Sequence, residues 1–218
     1  MRRWRIAAGE RRSLYSAVGL RLIDLLTGGL PVGWVQASLD LLGGAGWQPA
    51  PGKLLLSTSG ILTAPHLERT AHPGAVPRRY RIRLTAEFYR PLYQVTLDGV
   101  EFDAFPYNDN VAPASFARTT TETLLVPSPA YPFPPHVPVL RGAVVDPAAA
   151  PVEDAVLTDP GTERAVTDAR GAFALPLRTA APGAPITITA THPRSARTGS
   201  IQVTLPADVG RSQTIQVS

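Results

Sequence analysis

Two histidines and a glutamate within seven residues are the side chains that first suggest a metal site. They are His66, Glu68 and His72, and imidazole nitrogens and carboxylate oxygens are ligands that Zn²⁺ accepts. Their spacing matches neither the helical zinc motif nor a His-x-His pair on a strand. Pro65 and Pro73 flank them and predict a loop. We therefore expect no metal ion here.

A second group of side chains, Asp98, Glu101, Asp103 and Asp109, could supply oxygen ligands for Ca²⁺. The group lacks the dense Asp, Asn and Gly spacing of a dedicated calcium loop. We interpret these carboxylates as solvated charges in turns.

Motifs for nucleophilic or phosphoryl-transfer catalysis are absent from the sequence. None of the serines stands in Gly-x-Ser-x-Gly, and the chain contains no cysteine. The glycine run at 43–46 lacks the Lys-Ser/Thr ending of a phosphate-binding loop. The sequence predicts a protein that is not an enzyme and carries no cofactor. The rival hypothesis is a hydrolase accessory domain whose catalytic residues escape motif analysis.

The net charge of +4 resides entirely in residues 1–12, which contain five arginines and one glutamate. Such a basic arm could contact an acidic neighbouring subunit, a membrane surface or nucleic acid, or it could be a solvated terminus. No second basic, aromatic-rich stretch follows, so nucleic-acid binding is not favoured as the main function. We predict a partner contact through Arg2, Arg3, Trp4 and Arg5.

The first residues resemble the start of a signal peptide, but only Ile6, Ala7 and Ala8 follow as an apolar stretch. A signal peptide needs about 7–15 apolar residues, and a membrane span about 20. We expect synthesis in the cytoplasm, no membrane insertion, and export only as part of an assembled particle.

The final eighty residues repeat the pattern of the first half of the chain. The matching segments, in order, are 19–24 with 141–146, 31–35 with 151–156, 94–97 with 202–205, and 121–126 with 213–217. Four matches in the same order predict a duplicated fold.

Strands are the elements that this repeat predicts. Between residues 32 and 42 apolar side chains alternate with polar ones, and the same period of two runs from Tyr80 to Ala86. A helix is the competing interpretation for residues 14–26, and the repeat favours a strand. The fold class is therefore all-β, with two tandem antiparallel β-sandwiches.

A proline-rich segment separates the two predicted sandwiches. Six of the twelve residues from 127 to 138 are proline, which favours an extended polyproline conformation without internal hydrogen bonds. The predicted organisation is an arm at 1–12, a first sandwich with loop insertions at 13–126, a linker at 127–138 and a second sandwich at 139–218. Tyr131 and Phe133 are expected to pack back onto a sandwich.

Three motifs stand out in the second half, the segments 142–146, 151–156 and 167–173, the last expected to form a hairpin turn that leads Phe173 into the core. Together they resemble the carboxypeptidase regulatory-like domain, a transthyretin-like β-sandwich. The resemblance covers residues 139–218 and is weaker over the first half. It implies a fold and a supporting role in packing, spacing or binding, not a reaction; no His-x-x-Glu zinc motif is present.

Aromatic residues of the first half are the predicted docking residues. Trp34 falls on the polar phase of its strand, Trp47 lies in a predicted Gly/Pro loop, and Phe105 and Tyr107 belong to an insertion without a counterpart in the second half. We predict contact with other protein subunits of a particle, of phage-tail or contractile-injection type. The alternative is an adhesion module that binds a cell-surface glycan.

Overall fold

The computed structural model describes residues 13–93 and 98–218, and these residues fold entirely as strands, turns and loops. The predicted contact residues Arg2, Arg3, Trp4 and Arg5, and the repeat segment 94–97, lie outside the described residues. The strands are β1 (Ser16–Asp24), β2 (Val35–Gly43), β3 (Gly46–Pro49), β4 (Leu55–Leu56), β5 (Ile61–Pro65), β6 (Arg78–Ala86), β7 (Tyr89–Leu92), β8 (Val100–Ala104), β9 (Thr121–Pro127), β10 (Val139–Val145), β11 (Val156–Thr158), β12 (Arg164–Val166), β13 (Ala172–Pro176), β14 (Pro185–Thr191), β15 (Thr198–Thr204) and β16 (Gln213–Gln216). The all-β prediction is confirmed, and β1 replaces the alternative helix over residues 14–26.

The strand orders repeat between the two halves of the chain. The second half forms the sheets β13-β10-β16 and β12-β11-β14-β15, and the first half forms β4-β5-β1-β9-β7 and β3-β2-β6-β8. If β4 and β7 are set aside, the order β5-β1-β9 corresponds to β13-β10-β16, and β3-β2-β6-β8 corresponds to β12-β11-β14-β15. The corresponding strands also follow one another in the same order along the chain. The sequence repeat therefore corresponds to a repeat of topology.

The turn after the first strand is built in the same way in both halves. Asp24 Oδ1 accepts a hydrogen bond from the Leu26 amide at 2.8 Å, and Asp146 Oδ1 accepts one from the Ala148 amide at 2.9 Å. The backbone of each aspartate also closes the turn, its amide donating to Gly29 at 3.0 Å and to Ala150 at 2.9 Å respectively. An aspartate that caps its own turn explains why the motif recurs.

Residues 139–218 enclose an apolar core between their two sheets, centred on Leu140, Leu157, Phe173 and Ile188. Phe173 is buried, as predicted. Gly142 allows β10 and β16 to approach, because a Cβ there would lie 2.0 Å from the carbonyl oxygen of Gln213.

Residues 167–171 do not form the predicted hairpin. β12 pairs with β11, whereas β13 pairs with β10, so the turn connects two sheets. Asp168 Oδ1 accepts hydrogen bonds from the amides of Arg170 and Ala172, each at 2.9 Å, and the Asp168 amide donates to the Ala172 carbonyl at 3.0 Å. The chain therefore reverses here while β12 and β13 belong to different sheets.

The proline-rich segment is not an extended polyproline helix. Backbone amides of Tyr131, Phe133 and Val137 donate to the carbonyls of residues 128, 131 and 134 at 2.9–3.0 Å. Tyr131 is buried, as predicted, and the ring of Phe133 packs edge-on against it at 4.9 Å. Aromatic burial thus outweighs the extended preference of the prolines.

Contacts divide the chain into two compact units. The first comprises residues 1–21, 37–83 and 99–122, and the second comprises 22–36, 84–98 and 123–218. The boundaries predicted at 126 and 139 differ from this division and stay a prediction.

Candidate interaction surface

Three large apolar side chains are exposed at alternate positions of the segment between β1 and β2. Leu30 is 51% exposed, Val32 46% and Trp34 52%. We call residues 30–34 the apolar loop. Large apolar side chains grouped in this way mark contact sites more often than isolated ones do.

Hydrogen bonds from a neighbouring segment of the second unit fix the apolar loop. The Val32 amide donates to Tyr89 Oη at 2.9 Å, and the Glu87 amide donates to the Trp34 carbonyl at 3.1 Å. A weaker bond runs from the Trp34 amide to Glu87 Oε2 at 3.4 Å. The amides of Val32 and Trp34 and the carbonyl of Trp34 are thereby paired within the chain, while the side chains at 30, 32 and 34 remain in solvent.

Gly33 allows the apolar loop to approach Glu87 and Phe88 closely. Its φ is 74°, in the left-handed region, and a Cβ would lie 2.7 Å from Glu87 Oε2 and 2.8 Å from the Phe88 ring. Only glycine fits both the backbone conformation and the space.

A buried carboxylate holds the phenol of Tyr89 in place. Asp24 is fully buried, and its Oδ2 accepts hydrogen bonds from Tyr89 Oη at 3.2 Å and Tyr131 Oη at 2.9 Å. Burial, with the neighbouring Asp24 carboxylate, raises the pKa of Tyr89 to about 12. Burial and the Asp24 hydrogen bond also raise the pKa of Tyr131. Both phenols therefore remain neutral donors at physiological pH.

Trp47 lies in strand β3, not in the predicted loop, and pairs with Leu42 of β2. Its half-buried ring is covered by the guanidinium of Arg81, 4.6 Å from the ring centroid. Arg81 also donates to Asp40 Oδ2 at 3.0 Å. One ring face is therefore occupied, which reduces the area available to a glycan.

Tyr107 and Phe105 are placed differently from the prediction. Tyr107 is 1% exposed, and Tyr15 packs edge-on against it at 5.3 Å. Phe105 is half-buried and lines the same small cavity as Tyr107 and Phe116. The prediction that Tyr107 contacts a partner is wrong, because the insertion that carries it folds its aromatic rings inward.

Within residues 13–93 and 98–218, no three His, Asp or Glu side chains converge as a metal site. Sequence reasoning missed one Ser–His contact, His192 Nδ1 to Ser195 Oγ at 2.7 Å. The Ser195 amide also donates to that nitrogen at 3.1 Å, so the contact closes the exposed turn between β14 and β15.

Of the predicted contact residues in the described part of the chain, Trp34 is the one exposed by half or more. Sequence analysis missed Leu30 and Val32, although apolar residues beside the Thr27-Gly28-Gly29 turn were a usable signal. The support from Tyr89 and Glu87 has no local signal, because those residues are more than fifty positions away.

Among the described residues, no helix has the length and apolar character needed to cross a bilayer.

No protein-family model matches the chain, and no curated protein matches it. Three solved structures do. The Bacillus anthracis TIE protein aligns at 14% identity and a TM-score of 0.28, over 94% of this chain and 33% of that protein. The major pilin subunit of Bacillus cereus, BcpA, aligns at 12% identity and a TM-score of 0.26, over 95% of this chain and 69% of the pilin. A variant of that pilin aligns with a TM-score of 0.29. The chain thus spans a third of the TIE protein's length.

Proposed function

We propose that this protein is a non-enzymatic structural subunit that docks through its apolar loop onto another protein subunit of a larger particle. The observation that carries the proposal is the exposure of Leu30, Val32 and Trp34 on a backbone held by Tyr89 and Glu87.

A protein partner fits this surface better than a polar ligand does. The loop amides of Val32 and Trp34 already donate within the chain, so the side chains offer mainly apolar contact. A tryptophan flanked by aliphatic side chains is the composition of an interface hot spot. Because the loop is fixed before binding, little ordering entropy opposes association.

Within this class of function, we propose a particle of phage-tail or contractile-injection type. Supporting this choice are the duplicated sandwich topology and the resemblance of residues 139–218 to domains with packing or spacing roles. In this proposal the arginines at positions 2, 3 and 5 add contacts to an acidic neighbour.

The test is sedimentation of native lysates from cells that express the protein at its natural level. Unaltered protein should co-sediment with sheath or tube proteins, and Trp34→Ala should shift it to the free fraction, since truncating a hot spot costs about 2 kcal/mol or more. Val76→Ala is the matched control, because Val76 is 77% exposed and lies outside the loop.

Deletion of residues 2–12 tests the arm separately and should weaken incorporation without unfolding the monomer. A protein that sediments only as a free monomer would refute the particle assignment. Equal incorporation of the Trp34→Ala variant and the unaltered protein would refute the docking surface.

A further inference from the structure

A cleft in the first unit has no part in the proposed docking function. Its volume is about 420 Å³, within the range of roughly 300–1,000 Å³ typical of small-molecule sites. The polar residues that line it are Lys53, His66, Glu68, Arg69, Thr70, Arg78 and Tyr80.

Basic residues outnumber acidic ones in the lining of this cleft. Lys53, Arg69 and Arg78 line it together with one carboxylate, that of Glu68. Lys53 is exposed and is the single lysine of the chain; no ion pair involves it among residues 13–93 and 98–218. Arg69 pairs with Asp109 through Nη2, whereas its buried Nε has no hydrogen-bond partner.

The carboxylate of Glu68 is already hydrogen-bonded to two neighbouring side chains. Its Oε1 accepts hydrogen bonds from Tyr80 Oη and, at 3.1 Å, from Arg78 Nη1, and its side chain is 11% exposed. An anion in the cleft could therefore pair with Lys53 and with the remaining N–H groups of Arg78. The Glu68 carboxylate would repel it less, because its charge is already compensated.

The segment that forms one side of the cleft has a strained backbone. His66 and Glu68 adopt φ values of 68° and 59°, in the left-handed region that residues other than glycine seldom occupy. Leu67 between them is buried. Strain of this kind is concentrated at ligand sites.

We propose that the cleft binds a small organic anion, a carboxylate or phosphate attached to a body of about monosaccharide size. Lys53 and Arg78 pair with the anionic group, since a guanidinium fork and an ammonium both suit these oxygens. Leu41, Pro51, Pro65 and Leu67 supply the apolar part of the lining, against which the C–H surface of the ligand packs.

Isothermal titration calorimetry of the full-length protein tests this proposal, with glucuronate and glucose 6-phosphate as anionic probes and glucose as the neutral control. At least one anionic probe should bind saturably, and glucose should bind at least about tenfold more weakly. The preferred probe decides between carboxylate and phosphate. Inorganic phosphate tests whether the anionic group suffices alone.

Lys53→Ala and Arg78→Gln should each weaken binding about tenfold, the loss expected for a charge-assisted hydrogen bond. Arg79→Gln is the matched control: Arg79 is 49% exposed, against 52% for Arg78, and pairs with Glu101 and Asp103 outside the cleft lining. Circular dichroism verifies that each variant is folded.

The proposal would be overturned if neither anionic probe bound saturably or if glucose bound with equal affinity. It would also be overturned if Arg79→Gln weakened binding as much as Lys53→Ala and Arg78→Gln. Trp34→Ala should leave the affinity unchanged, so failure of the docking function and failure of this site can be told apart.

Discussion

Asp40 lies on β2 with 3% of its side chain exposed, and its carboxylate forms ion pairs with two arginines of β6. Arg83 Nε lies 2.8 Å and Arg81 Nη2 3.0 Å from its Oδ2. Burial alone would raise the pKa of Asp40, but hydrogen bonds and attraction from Arg83 and Arg81 outweigh it and hold the pKa below the usual value. Ionised Asp40 therefore stabilises the folded state.

Replacing this carboxylate should reveal its pH dependence. Asp40→Asn should lower the free energy of unfolding at pH 7 by about 1–3 kcal/mol, the cost of unpairing a buried charged hydrogen-bond partner. Because the folded pKa is lowered, the wild-type advantage is present above the unfolded pKa of about 3.9 and disappears as pH falls through the folded value.

Urea denaturation at pH 7 and at pH 3 measures this difference. The control is Asp103→Asn, since Asp103 is 46% exposed and lies 3.5 Å from Arg79; its effect should stay within about 1 kcal/mol at both pH values. A deficit of Asp40→Asn that grows on acidification would contradict the assignment.

At Gly142 the absence of a Cβ atom allows β10 and β16 to pack closely. A methyl group there would lie 2.0 Å from a backbone oxygen of β16, so Gly142→Ala must displace a strand. We expect a loss of about 1–3 kcal/mol in thermal or chemical unfolding.

Gly210 provides the comparison for Gly142, because a Cβ at Gly210 has no heavy atom within 4 Å. Gly210→Ala should change stability by about 0.5 kcal/mol or less. Equal effects at the two positions would contradict the close approach of β10 and β16.

At the scale of elements, the apolar loop depends on a phenol of β7. Tyr89 Oη accepts from the Val32 amide and donates to Asp24, so Tyr89→Phe should leave that amide unpaired. We expect a loss of about 1–3 kcal/mol in stability and faster hydrogen exchange at Val32.

Tyr131→Phe separates the two effects, since Tyr131 Oη donates to the same carboxylate oxygen but is not the acceptor of the Val32 amide. This variant should be destabilised to a similar degree with the Val32 amide still protected. Unchanged Val32 exchange in Tyr89→Phe would show that the loop is held in another way.

At the scale of the whole molecule, a partly buried ion pair joins distant segments of the second unit. Arg178 Nε lies 2.6 Å from Glu163 Oε1, Arg178 Nη1 donates to the Leu26 carbonyl, and the Glu163 side chain is 3% exposed. The pair thus ties the turn after β1 to the sandwich of residues 139–218.

Arg178→Leu should cost about 2–4 kcal/mol, less than a fully buried pair would, because the Arg178 side chain is 38% exposed. The double variant with Glu163→Gln should recover part of the loss, because no unpaired buried charge then remains. Additive losses in the double-mutant cycle would show that the two residues do not interact.

The sequence alone determined the class of fold and the duplication. Apolar residues with a period of two, frequent turn residues and a repeated Asp-capped turn are local features, and each half of the chain carries its own copy. The alternation in β6 predicted the burial of Tyr80, Ile82 and Leu84 because each side chain's face follows directly from the pleat.

Tertiary structure alone decided which aromatic residues face solvent and which charges meet. Trp47 and Tyr107 were predicted to contact a partner from a loop and an insertion, yet Trp47 lies half-buried in β3 and Tyr107 is buried. Tyr89 supports the loop of Trp34, Arg81 covers Trp47, and Tyr15 packs on Tyr107. These partners lie 34 to 92 positions apart in the sequence. Local pattern specifies the face of a strand, whereas the neighbour of a loop side chain depends on how distant segments pack.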